Sequence, residues 1–261
     1  MKVEEVMTKN AVFLHDTDFM THARQVMRDM HKRTIPVVDS KKRVIGLLTE
    51  KDLLNIYSTR SNVTIEGFTS EFPPVYPDMD VMHAAKLMMD AGMGRVPVLK
   101  SGQDMTLAGI LSTVDIFRNL DLDKIPSNKI REIMTTDVVT CSPKDSIAKV
   151  WLNMKRTGFS GYPVVKDGKL LGMVTRRNII NAGYARIERE DEHGTKSTMS
   201  PPVEKIMSTP AYTISPEATL KEAIQAFLKL DIGRISVVDD RKLVGIVDRN
   251  DIIKTCIKGD V

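Results

Sequence analysis

The sequence contains few cysteines and no long apolar run, and each absence excludes a class of protein. Cys141 and Cys256 are its only cysteines, and their positions give neither a metal-ligand spacing nor a disulfide framework. No run of about eighteen apolar residues occurs that could span a membrane. The N-terminus, MKVEEVMTKN, carries acids where a signal peptide needs its apolar region. We therefore expect a soluble, cytoplasmic protein without membrane insertion.

A large excess of charge of one sign is missing as well. The 261 residues include 38 Lys and Arg and 34 Asp and Glu, which leaves a formal net charge of +4. Nucleic-acid binding usually shows as a concentrated basic stripe, whereas acids and bases are mixed along this chain. Nucleic acid is therefore an alternative partner that the composition does not favour.

The chain also lacks the sequence patterns of common catalytic sites. Its five histidines share no metal-ligand spacing, and no Ser-His-Asp or Cys-His arrangement can be argued. No Walker-type glycine loop occurs. We predict no metal site, no catalytic residue and no catalytic cofactor.

What the chain does have is one motif in four copies. Each copy has a glycine within an apolar run, a polar residue three positions later, and Asp or Asn six positions after the glycine. The copies are Gly46, Thr49 and Asp52; Gly109, Ser112 and Asp115; Gly172, Thr175 and Asn178; and Gly245, Asp248 and Asp251.

The same register extends upstream of each glycine. A second apolar run contains a marker residue in every copy, namely Pro36, Pro97, Pro163 and Ser236. Sixteen residues before the marker, and then three and seven residues further on, apolar residues recur in all four copies. This spacing places them on one face of a helix. The agreement at several independent offsets predicts an internal repeat of about sixty residues.

Each repeat is predicted to contain a leading segment, an amphipathic helix, two strands and a second helix. This order predicts an α/β fold of four βαββα units, at residues 1–60, 61–124, 125–187 and 188–261, paired into modules 1–124 and 125–261. Ser142-Pro143 and Ser215-Pro216 have the pattern of a capping residue followed by proline at the first helical position. The polar stretch 188–200 is interpreted as a linker.

The combined pattern resembles a known family. A strand of apolar-Pro-apolar-apolar type, followed by Gly-x-x-Thr/Ser-x-x-Asp at a helix start, resembles the cystathionine β-synthase (CBS) domain. Four copies resemble two tandem pairs, called Bateman modules, and cover nearly the whole chain. The arrangement is similar to the gamma subunit of AMP-activated protein kinase. The resemblance implies a regulatory protein, not an enzyme, whose inter-repeat clefts hold AMP, ADP, ATP or S-adenosylmethionine.

The resemblance also implies which positions bind the ligand. The acid at glycine plus six binds the ribose, the hydroxyl at plus three lies near ribose and phosphate, and a residue two before the marker reaches the phosphate from the partner repeat. Carried onto this chain, these positions are Thr49, Asp52, Arg95, Ser112, Asp115, Thr34, Thr175, Asn178, Arg234, Asp248 and Asp251.

The predicted clefts differ in how well their residues suit a nucleotide. A carboxylate can accept hydrogen bonds from both ribose hydroxyls, whereas Asn178 offers a single carbonyl oxygen. Helix starts favour phosphate through their free N–H groups and the helix dipole. If each cleft takes its basic residue from the partner repeat, Asp52 goes with Arg95 and Asn178 with Arg234. On this basis the cleft of Asp52 with Arg95 is the most complete for a nucleotide.

The other two clefts are predicted to be less complete. Asp115 relies on Thr34 or the adjacent Arg33 for its phosphate contact. The Asp251 cleft carries Asp248 where the other repeats have a hydroxyl. A second carboxylate there disfavours phosphate and suits a less anionic ligand, such as S-adenosylmethionine, or an empty cleft.

A simpler interpretation of the motif stays open. Thr49 to Asp52 has the spacing of a capping box, which would stabilise a helix start by about 1 kcal/mol and bind nothing. The stretch HKR at 31–33 and the pair Arg176-Arg177 are interpreted as solvated charges, with phosphate contact as the alternative.

We therefore predict a metabolite or energy sensor. An adenosyl ligand would shift the paired repeats, and a separate, unidentified effector protein would read that shift. The chain is expected to form a homodimer. The alternatives are a nucleic-acid-binding or scaffold protein with vestigial clefts and, less favoured, an enzyme that hydrolyses nucleotides.

Overall fold

The computed structural model describes residues 1–55, 63–183 and 200–259, which form an α/β protein of four similar repeats. The elements of the first two repeats are α1 (Val3–Val6), β1 (Leu14–His15), α2 (Met20–Asp29), β2 (Thr34–Val38), β3 (Val44–Thr49), α3 (Glu50–Asn55), α4 (Val81–Asp90), β4 (Arg95–Leu99), β5 (Leu107–Ser112) and α5 (Thr113–Asn119). Those of the last two are α6 (Ile130–Ile133), α7 (Ile147–Thr157), β6 (Gly161–Lys166), β7 (Lys169–Thr175), α8 (Arg176–Asn181), a 3₁₀ turn (Val203–Lys205), β8 (Thr213–Ile214), α9 (Leu220–Leu230), β9 (Arg234–Asp239), β10 (Lys242–Asp248) and α10 (Arg249–Lys258).

The first strand of the βαββα unit is developed to different degrees. In repeats 1 and 4 it is a two-residue strand, β1 or β8, that pairs in parallel with the strand after the helix. In repeat 3 it is reduced to a single parallel bridge between Cys141 and Val164. In repeat 2 the predicted first strand is missing from the described residues, and a single bond from the Leu99 N–H to the Val75 carbonyl, at 2.9 Å, stands in its place. The two main strands of every repeat are antiparallel neighbours.

The predicted helix faces are confirmed by burial. The residues at offsets 0, 3 and 7 are all buried, namely Met20, Ala23 and Met27; Val81, Ala84 and Met88; Ile147, Val150 and Met154; and Leu220, Ala223 and Phe227. Each triplet turns one stripe of its helix towards the interior, as an amphipathic helix requires.

The predicted helix starts, in contrast, were wrong. Helices α7 and α9 begin at Ile147 and Leu220, and their caps are Ser146 and Thr219. Ser142-Pro143 lies in a preceding turn, in which the Ser142 N–H donates to Asp145 Oδ2 at 2.9 Å. A serine followed by proline suits such a turn as well as a helix start, so the local pattern does not separate the two.

The leading segments cross over within each pair of repeats. Thr8 of repeat 1 pairs with Ile110 of repeat 2, and Ser70 of repeat 2 pairs with Leu47 of repeat 1. The second pair repeats the exchange, with bridges Thr135 to Ile246 and Ser208 to Met173. The first part of every leading segment therefore pairs with a strand of the partner repeat, before the chain returns to its own repeat.

The repeat glycine makes this exchange sterically feasible. A Cβ added to Gly172 would lie 2.5 Å from the Ser208 carbonyl oxygen, and one on Gly109 would lie 2.8 Å from the Thr8 carbonyl oxygen. Both oxygens belong to the partner's leading segment. Only a residue without a side chain lets the two backbones approach this closely.

The four repeats close into a ring with unequal packing. Strands β3 and β4 join repeats 1 and 2, β7 and β10 join repeats 3 and 4, and helix contacts join repeat 1 to 3 and repeat 2 to 4. Repeats 2 and 4 share one hydrophobic core, in which the Phe117 and Phe227 rings stack at 6.3 Å. Repeats 1 and 3 have separate cores among the described residues.

Two of the predicted repeat boundaries, 60/61 and 187/188, fall outside the described residues, as does most of the predicted linker at 188–200. These assignments stay predictions. The exchanged leading segments mean that a boundary along the chain does not coincide with a unit of packing.

Replacing Gly172 by alanine is expected to destabilise the fold by about 1–3 kcal/mol, because the new Cβ meets a backbone oxygen that cannot move independently. The measurement is the free energy of unfolding in urea. Gly94→Ala is the matched control, because its Cβ would meet no atom closer than 3.8 Å. Equal stabilities of the two variants would contradict the steric explanation.

Candidate functional site

The repeat motif is a helix cap in the folded protein. In repeat 2 the N–H and hydroxyl of Ser112 donate to Asp115 Oδ2 at 2.9 and 2.6 Å, and the Asp115 N–H donates back to the Ser112 hydroxyl at 3.3 Å. Both bonds from Ser112 use one carboxylate oxygen. Among the described residues the other oxygen, Oδ1, accepts a single long bond, 3.4 Å, from the Thr8 hydroxyl.

Repeats 1 and 3 reproduce this geometry. Thr49 Oγ1 donates to Asp52 Oδ2 at 2.6 Å, and Thr175 Oγ1 donates to Asn178 Oδ1 at 2.7 Å. The hydrogen bonds that the capping-box interpretation predicts for Thr49 and Asp52 are therefore present. They do not exclude ligand binding, because a carboxylate in the cap still has a second oxygen to offer.

One cleft, of about 290 Å³, lies at Asp115. Ala11 and Val12 of the exchanged leading segment and Ile110 of β5 give it apolar walls. Thr34 of repeat 1 also lines it, so the structure brings Asp115 and Thr34 together. A cleft with one apolar wall and a carboxylate at its edge is suited to a planar base joined to a sugar.

A larger cleft, of about 550 Å³, lies at Asn178. It also contains Arg234 of repeat 4, so the structure brings these two predicted residues together. Pro210, Ala211 and Tyr212 of the leading segment of repeat 4 form the opposite wall. The Asn178 amide donates to Ser208 of that segment at 3.2 Å and its oxygen already accepts the cap bonds.

A central cavity of about 290 Å³ lies where the four repeats meet. Two register positions from every repeat line it. The position at glycine plus four supplies Glu50, Thr113, Arg176 and Arg249, and the position three before the marker supplies Arg33, Gly94, Ser160 and Gly233. Because the four repeats are arranged with pseudo-symmetry around the ring, the residues at these two positions of every repeat face one shared cavity.

Several arginines in this region have unsatisfied polar atoms. The Nε atoms of Arg95, Arg176 and Arg249 are buried and find no acceptor among the described residues. Burial lowers the pKa of Arg95 and of Arg234. The charge of Asp115 partly offsets this effect on the pKa of Arg95, and the charge of Asp248 partly offsets it on the pKa of Arg234. A buried guanidinium with N–H groups that have no acceptor is suited to binding an anion, which supplies both the opposite charge and the hydrogen-bond acceptors.

The interpretation of 31–33 and Arg176-Arg177 as solvated charges was correct only in part, because His31 is exposed whereas the three arginines are half-buried. Arg33 and Arg176 line the central cavity, and Arg177 lines the Asn178 cleft. The Arg177 guanidinium donates to the His31 carbonyl at 2.7 Å, which ties repeat 3 to repeat 1. Single-sequence reasoning treats an arginine next to a strand or helix start as exposed by default, and only ring closure places these arginines around a cavity.

The remaining predicted residues are distributed differently. Thr49, Arg95 and Asp248 line the central cavity, and Arg95 also lines the Asp115 cleft. Asp52 and Asp251 line none of the three cavities described. The pairing of Asp52 with Arg95 in a nucleotide cleft stays a prediction.

Asp251 shows the effect of the second carboxylate in repeat 4. Burial, followed by the charge of Asp248, raises its pKa to about 6. The other three repeats have a hydroxyl at this point that donates to the acid or amide. An ionised Asp248 can only accept hydrogen bonds. The cap of repeat 4 therefore lacks the bond from a hydroxyl to the acid, and the carboxylates of Asp248 and Asp251 repel each other.

Sequence reasoning considered Arg33 and Arg176 as phosphate contacts but missed that their two register positions, glycine plus four and three before the marker, meet in every repeat. The signal that could have found them was the register itself. In a closed ring of repeats, equivalent positions face the same axis, so Glu50, Arg176 and Arg249 had to lie near one another once one of them was placed at the centre.

Among the described residues, no group of three or more His, Cys, Asp and Glu side chains could hold a metal ion. Within the same ranges no helix is both long and apolar enough to cross a bilayer.

The fold and its clefts define an α/β protein of four repeats joined in pairs through exchanged leading segments. The sequence profile of the CBS domain matches residues 3–59, 65–122, 130–184 and 203–258. The chain therefore belongs to the CBS domain family, and the predicted α/β fold of four CBS repeats in two Bateman modules is confirmed.

Two relatives come from Methanocaldococcus jannaschii. The uncharacterized protein MJ1404 is 30% identical over 260 residues, which cover 97% of this chain and 61% of that protein. MJ1225 is 25% identical over 278 residues, 97% of each chain. The crystal structure of MJ1225, described as a candidate archaeal homolog of γ-AMPK, matches with a TM-score of 0.84 at 23% identity and covers 97% of this chain and 99% of MJ1225.

An uncharacterized conserved protein from Pyrococcus horikoshii has the same fold at lower similarity. Its structure matches with a TM-score of 0.66 at 21% identity and covers 98% of this chain and all of that one. These likenesses support the four-repeat architecture. The chain spans about three fifths of MJ1404, whose remaining length has no counterpart here.

Replacing Asp248 by threonine is expected to stabilise the protein above pH 6 and to have little effect near pH 4. The raised pKa of Asp251 means that its ionisation opposes folding as the pH rises from about 4 through 6. A hydroxyl donor removes the repulsion and restores the cap bond. The measurement is the melting temperature across this pH range.

Asp248→Asn is the matched control for that experiment, since it removes the charge without adding a hydroxyl. It should reproduce the loss of repulsion and only part of the stabilisation. A shift in melting temperature that is constant from pH 4 to pH 8 would contradict the electrostatic origin.

Proposed function

We propose that this chain is a regulatory sensor that binds an adenosine-containing ligand in clefts between paired repeats and signals to a separate effector protein. The observation that carries the proposal is the set of buried Nε atoms of Arg95, Arg176 and Arg249, which find no acceptor in the described part of the chain. An unsatisfied buried donor costs about 1–3 kcal/mol. A bound phosphate would supply the acceptors.

The clefts suit a nucleoside in size and lining. Ligand pockets are typically about 300–1,000 Å³ with apolar walls and a few polar groups, and the cleft at Asn178, of about 550 Å³, falls within this range. Pro210, Ala211 and Tyr212 would contact the base. In the other cleft, Oδ1 of Asp115 would accept from the ribose hydroxyls.

The clefts and the central cavity share residues, which would direct the phosphates inward. Arg95 and Thr34 line both the central cavity and the Asp115 cleft. Arg33 and Arg234 line both the central cavity and the Asn178 cleft. AMP, ADP or ATP bound with its ribose on either motif would therefore have arginine at its phosphate end. At the motif of repeat 4, where Asp251 lines none of the three cavities, the second carboxylate of Asp248 would suit a less anionic ligand such as S-adenosylmethionine or an empty site.

The motif hydroxyls are held in helix caps, in which Ser112 and Thr175 donate to their cap partners at 2.6 and 2.7 Å. The partner of Thr175 is an amide oxygen, which cannot act as a general base, and this supports binding without turnover at the Asn178 cleft. A ligand between two repeats would bias their relative position by the difference of its affinity for the two arrangements. The effector, a homodimeric state and a cytoplasmic location belong to the same proposal.

Isothermal titration with AMP, ATP, S-adenosylmethionine and methylthioadenosine should show saturable binding by at least one of the four. Asp115→Ala should weaken binding at its cleft by about tenfold or more, because a hydrogen bond to a charged group contributes about 1.5–3 kcal/mol. Asp239→Ala, at an exposed carboxylate of β9, is the control. Asp115→Asn keeps the cap acceptor and separates ribose contact from loss of folding.

Absence of heat from all four ligands with a folded protein would contradict the sensor and reduce the motifs to helix caps. Binding of DNA or RNA with steep salt dependence would then support the nucleic-acid alternative.

Arg95→Met should raise the free energy of unfolding of the ligand-free protein by about 1 kcal/mol and weaken AMP binding. The variant keeps the aliphatic stem and removes a buried donor that has no acceptor. Arg28→Met, at an arginine with 55% of its side chain exposed, is the control. The measurements are urea unfolding and calorimetry, and a variant that loses stability while binding AMP normally would refute the anion role.

A further inference from the structure

Glu50 stands out among the four equivalent residues at glycine plus four. The others that line the central cavity at this position are a threonine, Thr113, and two arginines, Arg176 and Arg249. Repeat 1 thus places the only acid of the four in a cavity that is otherwise rich in arginine. No helix cap requires this acid, because the acid of the Thr49 cap is Asp52.

The surroundings of Glu50 are cationic and partly buried. Burial raises its pKa, while the charges of Arg33, Arg177, Arg176 and Arg234 lower it, in that order. Among the described residues its carboxylate has no ion-pair partner. Glu50 is therefore close enough to four arginines to feel their charge without forming a salt bridge with any of them.

Glu50 is also placed asymmetrically between the clefts. It lines the central cavity and the Asn178 cleft, together with Arg33 and Arg234. It does not line the Asp115 cleft, which has the cations Lys32 and Arg118 instead. Asp231 lines both clefts, so it does not distinguish them. A ligand in the Asn178 cleft would meet the additional negative charge of Glu50 at its inner end, and a ligand in the Asp115 cleft would not.

We infer that Glu50 is a charge-selective residue that makes the Asn178 cleft favour adenosyl ligands with one phosphate or none over those with two or three. The inference rests on the proposed function and names the ligand class of this cleft. Each further phosphate would extend towards the central cavity and bring additional negative charge near the carboxylate. Repulsion between like charges is only weakly screened in a partly buried site.

The arginines around Glu50 still attract the first phosphate. Arg234 lines the cleft itself and donates to Ser160 and to the Gly161 carbonyl, so its guanidinium is held in position at the inner wall. Glu50 therefore does not abolish anion binding. It sets how much negative charge the cleft tolerates, and the Asp115 cleft, without this acid, is left as the one that accepts polyphosphates.

The test uses Asp115→Ala as the background, so that the Asn178 cleft is observed, and compares AMP with ATP by calorimetry. Adding Glu50→Gln is expected to tighten ATP binding by about tenfold, which is about 1.4 kcal/mol, with a smaller change for AMP. Glutamine keeps the size and shape of the side chain. Glu66→Gln, at an exposed acid outside the cavities, is the matched control for the loss of one negative charge.

Inorganic pyrophosphate is titrated in parallel as a probe of the central cavity alone. It should bind more tightly to the Glu50→Gln variant than to the parent and the Glu66→Gln control. Unfolding curves check that all variants are folded. An ATP-to-AMP affinity ratio that Glu50→Gln leaves unchanged overturns the inference while the sensor proposal stands.

Failure of the sensor proposal has a different signature. If neither nucleotide binds any variant but pyrophosphate binds Glu50→Gln more tightly, the nucleoside site is refuted and the charge effect of Glu50 is upheld. If pyrophosphate binding is also unaffected by Glu50→Gln, the charge-selective role is refuted as well.

Discussion

The close backbone contact between each repeat glycine and the leading segment of the partner repeat is the constraint on which the rest of the structure depends. At Gly172 the partner's carbonyl oxygen occupies the space of a Cβ, so no other residue fits without displacing backbone. The contact holds the leading segment across a cleft from the helix cap of the same motif. Each cleft thus has one wall from each repeat, and a ligand within it touches both.

Closure of the ring brings arginines from different repeats close together around the central cavity. An arginine at a strand or helix start is harmless on the surface of one repeat, yet ring closure gathers the half-buried Arg33, Arg95, Arg176 and Arg234 around one cavity. Cations held close together, some with buried N–H groups that have no acceptor, destabilise a fold, and such strain is commonly retained at functional sites. Glu50 relieves part of this repulsion and leaves the remainder available to an anion.

Several features could be predicted because they follow from local spacing. The helix faces followed from apolar residues at offsets 0, 3 and 7, and all twelve residues are buried. The capping box at Thr49 and Asp52 followed from a spacing of three. The helix starts of α7 and α9 did not, because Ser142-Pro143 is equally suited to the turn that it forms. The placement of Arg33 and Arg176 in one cavity did not either, because the two residues are more than a hundred positions apart in the sequence.

The order of residues predicted the four repeats, their buried helix faces and the capped motif at each helix start, but not that repeat 2 lacks a first strand among the described residues. The predicted features depend on contacts within one repeat, which the sequence encodes directly. Tertiary packing decided which repeat supplies each cleft wall, that Asp115 and Asn178 open onto clefts, and that two positions of every repeat meet at the centre. Those outcomes arise from the crossing of leading segments and the closure of the ring, which no local pattern specifies.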